Sequence, residues 1–178
     1  MKNLILGSFL AGLALFFWGF IYYGISGIPY KTLETPAATA PAALKSSFPS
    51  NGTYIVPSPT AENMAELQEA GPVAMVHIRP EGVGSLGTMM GTGFVHGEVY
   101  CFLLALILQQ ICKKSGYGER VWFVTQVGMA GAFAARFGDA IWFWQSWSWQ
   151  ISNFVYSAIS AAIAGAILAK FIKSPVKS

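Results

Sequence analysis

Residues 4–24 form an apolar segment without a single charged side chain. The segment is long enough for one helix to cross a bilayer, which takes about 20 residues. Lys2 precedes it, and Trp18, Tyr22 and Tyr23 lie at its far end, where a membrane helix often carries interfacial aromatic residues. The run also exceeds the usual signal-peptide core of about 7–15 residues. We therefore expect residues 1–26 to be an uncleaved N-terminal transmembrane anchor.

Three further apolar segments follow, over residues 94–112, 121–138 and 152–172. The whole chain is 54% apolar and only 11% charged, whereas about 25% of the residues in a soluble domain are charged. This composition excludes a disordered chain, a coiled coil and an ordinary water-soluble enzyme. The sequence predicts a mainly α membrane protein with about four transmembrane helices, three of them within residues 93–178.

The basic residues predict an orientation, because loops on the cytoplasmic side of a membrane are enriched in lysine and arginine. Four crossings would place both termini on the same side of the membrane. Seven of the eleven basic residues would then lie on that side and four on the other. We expect both termini in the cytoplasm and residues 27–92 outside it, in a bacterial inner (plasma) membrane. The seven are Lys2, Lys113, Lys114, Arg120, Lys170, Lys173 and Lys177; the four are Lys31, Lys45, Arg79 and Arg136.

The long segment between the first two apolar stretches has two parts. Residues 27–50 are rich in proline and alanine and predict an extended or flexible linker. Residues 51–92 predict a small extracytoplasmic α+β segment with a β-α-β order: strands over 53–57 and 73–78, and a helix over 60–69 capped by Thr60. This part of the chain is acidic, which argues against binding to nucleic acid or anionic lipid.

Four ionisable residues form the most suggestive polar set: His96, Glu98, Arg136 and Asp139. The predicted topology places all four near the outer ends of the second and third spans, where a contact between Glu98 and Arg136 can form. Ionisable groups in a membrane are usually paired or functional. We interpret the set as a polar interhelical cluster that fixes helix register. Alternative interpretations are a proton or ion relay, or His96 as a haem ligand.

Small residues recur at a spacing of four, which lets membrane helices approach each other closely. Gly87 and Gly91, and Gly93 and Gly97, precede the second apolar segment or lie in it. The last segment carries Ser157, Ala161, Gly165 and Ala169 on one predicted helix face. We expect all eight to pack against other helices.

Tryptophan is concentrated in residues 141–150, which contain Trp142, Trp144, Trp147 and Trp149. Tryptophan collects at membrane–water boundaries, because its ring is apolar and its N–H is polar. We predict that these residues, with Trp18, are interfacial aromatics, and that 141–150 is an outer turn or short surface helix. An aromatic pocket for a quinone or pigment is the alternative.

No residue pattern indicates catalysis, cofactor binding or a metal site, since His96 and His77 are dispersed and no nucleophile motif is present. We therefore expect a non-enzymatic accessory or assembly subunit, with the lipid bilayer and other membrane subunits or further copies of itself as partners, and no nucleic acid. One alternative is a small transporter or channel with a polar path near His96, Glu98 and Arg136. Another is a membrane subunit that binds haem, quinone or pigment.

Overall fold

The computed structural model describes residues 1–111 and 115–173. These contain, in chain order, α1 (Lys2–Gly19), α2 (Ala40–Ser47), β1 (Gly52–Val56), α3 (Met64–Ala70), β2 (Ala74–Ile78), α4 (Leu86–Ile111), α5 (Tyr117–Trp142) and α6 (Trp147–Phe171). A π-helical turn, Phe20–Ile25, continues α1, and a 3-10 turn follows at Pro29–Thr32. Three basic residues used in the orientation prediction, Lys113, Lys114 and Lys177, lie outside the described residues, as does Cys112, the last residue of the second predicted apolar segment.

Three of these helices are long and apolar enough to cross a membrane: α1 with its π-helical turn (Lys2–Ile25), α4 and α6. The structure is therefore consistent with an integral membrane protein. Helix α5 has the same length as α4, but it carries two charged residues near each end and is not among the three. The structure thus contains three candidate membrane-spanning helices, and the predicted number of four crossings is not confirmed.

The long helices extend beyond the predicted apolar segments. Helix α4 begins at Leu86, well before the predicted start at residue 94. The Ser85 hydroxyl caps the helix by accepting a hydrogen bond from the Thr88 amide. Helices α5 and α6 likewise begin before residues 121 and 152. Apolar patterning marks the part of a helix that lies in hydrocarbon, whereas backbone hydrogen bonding continues until a cap or turn ends it.

Helices α1 and α6 run antiparallel. Gly7, near the start of α1, lies beside Phe171 at the end of α6. Tyr22, near the other end of α1, donates a hydrogen bond to the Ser152 carbonyl near the start of α6. The beginning of α1 and the end of α6 therefore lie at the same end of the bundle.

Helices α4 and α5 run antiparallel to their respective neighbours. Along α1 and α4, Gly12 faces Glu98 and Phe16 contacts Phe94. Helix α5 packs along most of α6, from Tyr117, whose hydroxyl donates to the Ala166 carbonyl, to Phe137 beside Phe154. The four long helices thus alternate in direction along the chain.

The buried core lies between these four helices, towards the end that holds the start of α1 and the end of α6. We call this the inner half of the bundle and the opposite half the outer half. Every long helix contributes apolar side chains to the core. They are Ala11, Leu15, Cys101, Leu104, Ala105, Leu108, Val124, Ala164, Leu168 and Ile172.

The segment between α1 and α4 contains the predicted small sheet. Strands β1 and β2 pair antiparallel, with Gly52 opposite Ile78 and Val56 opposite Ala74, and α3 lies between them in the chain. The predicted cap is wrong: α3 starts after Asn63, and the Thr60 hydroxyl is within hydrogen-bonding distance of the Ser58 hydroxyl.

The predicted linker is not extended throughout. Within residues 27–50, α2 covers Ala40–Ser47 and begins with a proline in its first turn. Proline suits the first turn of a helix because its fixed backbone angle is helical and the missing N–H would have had no partner there. The alanines that follow favour the helix, since alanine has the highest intrinsic helix propensity. The same two residue types that indicated a linker therefore also suit a short helix.

Candidate functional site

Glu98 lies deeper in the bundle than the sequence predicted. Since α4 begins at Leu86, Glu98 falls at about the midpoint of this helix, not near its outer end. Its carboxylate rests against Gly12, which is itself about halfway along α1. A Cβ atom added at Gly12 would lie 2.5 Å from Glu98 Cδ and 2.8 Å from Oε2. The missing side chain of Gly12 is therefore what provides space for the carboxylate.

The Glu98 carboxylate has no partner on one of its oxygens. Glu98 is half-buried, and its Oε1 atom is buried without a hydrogen-bond donor. Among residues 1–111 and 115–173 no ion pair joins Glu98 to Arg136, so the expected contact between them is not formed. Helix α4 presents Glu98 to α1, whereas Arg136 is on α5.

Arg136 and Glu98 lie at different heights along the axis of the bundle. It is half-buried, and its positive charge acts on the hydroxyls of Tyr23 and Tyr156. Tyr23 follows Gly12 by eleven positions in the same helical segment, which corresponds to about 16 Å at about 1.5 Å per residue. Arg136 therefore lies near the outer end of the bundle, while Glu98 does not.

The other two members of the predicted cluster also stand apart from Glu98. His96 is exposed on α4. Asp139 is half-buried near the end of α5, where its backbone carbonyl accepts the Phe143 amide. Within the described ranges no three His, Cys, Asp or Glu side chains are grouped as a metal would require. The structure thus separates Glu98, at the contact with α1, from the exposed His96 of the same helix and from Arg136 and Asp139 near the outer end of α5.

The outer end contains a polar and aromatic contact that the sequence prediction missed. The Tyr22 hydroxyl donates to the Ser152 carbonyl at 2.8 Å and lies 2.7 Å from the Ser152 hydroxyl. The Tyr23 hydroxyl donates to Asn153 Oδ1 at 2.5 Å. Two adjacent tyrosines in α1 thus meet two adjacent polar residues in α6. The sequence did contain a signal for this contact, because Tyr22-Tyr23 and Ser152-Asn153 both lie near the outer membrane boundary of the predicted topology.

The small-residue face of α6 packs mainly against α5. A Cβ added at Gly165 would lie 2.9 Å from the Val121 carbonyl oxygen, and one added at Gly128 would collide with the Ala161 Cβ. Ala169 is fully buried, and its carbonyl accepts a hydrogen bond from Arg120. Ser157 is half-buried, and its hydroxyl bonds to the Asn153 carbonyl of its own helix.

Most of the glycines in the first half of α4 do not contact another helix. Gly91 and Gly93 have nothing within 4 Å of an added Cβ, and Gly87 would meet only the Ser85 hydroxyl of its own segment. Gly97 approaches another helix, with the Gly12 carbonyl oxygen 4.0 Å from its added Cβ. Three of these four predicted packing glycines therefore have no neighbouring helix in the described chain.

One face of α4 changes from buried to open along its length. Gly93, Gly97, Cys101, Leu104 and Leu108 follow one another at helical spacings of three or four and share a face. The last three are 0–3% exposed, whereas Gly93 is exposed. The same face is thus covered in the inner half and uncovered in the outer half.

Helix α5 shows the same change. Val124, Gly128, Gly131 and Gly138 share a face by the same spacing rule. Val124 and Gly128 are buried, but Gly131 and Gly138 have nothing within 4 Å of an added Cβ. We use the name outer gap for these three uncovered positions, Gly93 on α4 and Gly131 and Gly138 on α5.

The tryptophans surround the turn between α5 and α6. Trp142 ends α5, Trp147 begins α6, and Trp144 lies between them in the left-handed region at φ 55°. These three are exposed and Trp149 is half-buried. Trp18 is half-buried and stacks on Tyr156 of α6. Segment 141–150 is thus the end of one helix, a turn and the start of the next.

Comparison of this chain with protein-family models, curated proteins and solved structures found no match. Its function must therefore be inferred from its own residues. The two features that stand out are the outer gap and the unpartnered carboxylate of Glu98.

Proposed function

We propose that the protein is a non-enzymatic accessory or assembly subunit of a membrane complex. It crosses a bacterial inner membrane four times, with both termini in the cytoplasm and the segment between α1 and α4 outside. The fourth crossing is α5, which is as long as α4 and packs along α6. The placement of the chain's start beside the end of α6 supports an even number of crossings.

The outer gap is the observation that carries this proposal. Glycines that face a neighbouring helix elsewhere in the bundle, such as Gly128 and Gly165, leave no space for a further atom. Those of the outer gap have the same helical spacing but no neighbour. Because small residues drive the association of membrane helices by close backbone approach, the outer gap is suited to a transmembrane helix from another subunit or a second copy.

Native co-purification from mild detergent, followed by mass measurement of the intact complex, tests the proposal. We expect the wild-type protein to be recovered in an assembly larger than the monomer. Gly93→Leu and Gly131→Leu place bulky side chains in the outer gap and should return the protein to the monomer. Both sites are open in the isolated chain, so the bundle itself should still fold.

Gly118→Leu is the matched control. Gly118 is also in α5 with nothing within 4 Å, but it lies at the opposite end of the helix from the outer gap. This variant should keep the assembly. A wild-type protein that stays monomeric in several gentle detergents and in lipid nanodiscs would contradict the proposal.

A further inference from the structure

Glu98 is the ionisable group at the contact between α1 and α4. Residues 3–19 of α1 contain no titratable side chain, so α1 provides neither a counter-ion nor a second acid next to Glu98. On α4 itself the nearest titratable neighbours are His96, Tyr100 and Cys101. None of them donates a hydrogen bond to the buried Oε1 atom. Within the described chain, therefore, the carboxylate lacks a basic partner.

The position of Glu98 makes an ionised carboxylate costly. Both α1 and α4 are long and apolar enough to cross a membrane, and Glu98 and Gly12 lie near their midpoints. A charged carboxylate near the middle of a bilayer costs several kcal/mol unless it is paired or hydrated. A carboxyl group that has taken up a proton is neutral and can also donate a hydrogen bond.

The contact with Gly12 is specific enough to hold such a group. Only a residue without a Cβ leaves room for the carboxyl group against α1. One oxygen is enclosed there, while the residue as a whole is only half-buried and keeps exposed surface. A small reactant dissolved in the bilayer can therefore reach Glu98 without the helices separating.

We propose that Glu98 is a proton-binding site in the membrane, held between α1 and α4 by the space over Gly12. This site is independent of the assembly role, since it requires only that α1 and α4 cross the membrane. Glu98 lies against Gly12 of α1, whereas Gly93, Gly131 and Gly138 of the outer gap have nothing within 4 Å of an added Cβ.

The site can be tested with dicyclohexylcarbodiimide, which dissolves in the bilayer. A protonated carboxyl group adds across one of its C=N bonds, the proton moves to nitrogen, and the O-acylisourea rearranges to a stable N-acylurea. No oxidant, reductant or leaving group is involved. The full-length protein would be treated in liposomes, and the modified residue identified by peptide mass spectrometry.

We expect modification of Glu98 at neutral pH, and less of it as the pH rises, because only the protonated group reacts. Glu98→Gln should remove the modification, while the matched variant Glu119→Gln, which alters an exposed carboxylate at the start of α5, should retain it. The assignment by mass spectrometry holds for the wild-type protein even if Glu98→Gln does not accumulate.

Three results would overturn the proposal. The first is an unmodified Glu98. The second is equal modification of Glu98 and the exposed Glu62, Glu66 and Glu69 by a water-soluble carbodiimide, which would mean that Glu98 is in water. The third is protection of Glu98 by sodium chloride but not by choline chloride at constant pH, which would indicate a sodium site.

Discussion

Arg120 joins the start of α5 to the end of α6 by donating from Nη2 to the Ala169 carbonyl at 3.1 Å. Its Nη1 atom donates to the Ser115 carbonyl at 2.5 Å. The carbonyls in the last turn of a helix lack partners within the helix and carry partial negative charge, so a cation there is favourable. The sequence marked Arg120 only as a basic residue on the cytoplasmic side, yet it is buried and structural.

Arg120→Ala should destabilise the bundle, because it removes both hydrogen bonds from a buried charged group. Such bonds contribute about 1.5–3 kcal/mol each, so the loss of two should lower the free energy of unfolding by about 3 kcal/mol or more. Unfolding in mixed micelles with increasing SDS measures this. Lys170→Ala, which removes an exposed cation from the last turn of α6, should have little effect. Equal effects of the two substitutions would show that the stability change comes from the loss of a positive charge and not from the loss of the two hydrogen bonds.

Gly165→Ala should loosen the contact between α5 and α6. The added Cβ would lie 2.9 Å from the backbone oxygen of Val121 and 3.3 Å from Val124 Cβ, and the oxygen cannot move without shifting α5. Overpacking of this kind typically costs about 1–3 kcal/mol. The control is Gly138→Ala, where nothing lies within 4 Å and alanine should gain up to about 1 kcal/mol from helix propensity. The two substitutions should thus shift the unfolding midpoint in opposite directions.

Tyr22→Phe and Ser152→Ala should each weaken the attachment of α1 to the start of α6. The Tyr22 hydroxyl contacts both the carbonyl and the hydroxyl of Ser152, and a buried hydrogen bond of this type contributes about 1 kcal/mol. A double-mutant cycle should show that the two effects are not additive, because they share one interaction. Tyr30→Phe, which alters an exposed tyrosine, is the control. Full additivity would exclude a direct interaction between the side chains of Tyr22 and Ser152.

Reporter fusions should establish the proposed orientation. Alkaline phosphatase, which is active outside the cytoplasm, should be active after Lys45 and inactive after Ser115 and Lys173. Green fluorescent protein fused at the same three positions should give the opposite result. The prediction depends on α5 being a crossing, so a cytoplasmic signal at Ser115 but not at Lys173 would contradict it.

The sequence predicted the membrane class and the small sheet because these follow from local patterns. An uncharged segment of sufficient length indicates a crossing by itself, and a short run bounded by turn residues indicates a strand. Helix α2 was missed because proline and alanine are frequent both in linkers and at the start of helices. The position of Glu98 along α4 was also predicted wrongly. Hydropathy identified only the apolar part of this helix and gave no sign that the helix starts at Leu86.

The partners of individual side chains required the fold. Gly12 and Glu98 are far apart in sequence, and no local pattern relates them. The small-residue faces indicated close packing but could not distinguish glycines that meet a helix, such as Gly165, from those that do not, such as Gly93. That distinction depends on which helix lies beside each glycine, which is a property of the whole arrangement.

Because of the π-helical turn at Phe20–Ile25, the contacts at the outer end of α1 depend on the number of residues there as well as on their types. Tyr22 and Tyr23 lie within this wider turn, and both reach α6 from adjacent positions. Deletion of one residue there would rotate everything that follows by about 100° relative to Gly7 and Gly12. The inner contacts of α1 would survive, but the tyrosines would lose Ser152 and Asn153. Deletion of the single codon for Phe20 or Ile21 should therefore detach the outer end of the anchor, although the segment would remain apolar.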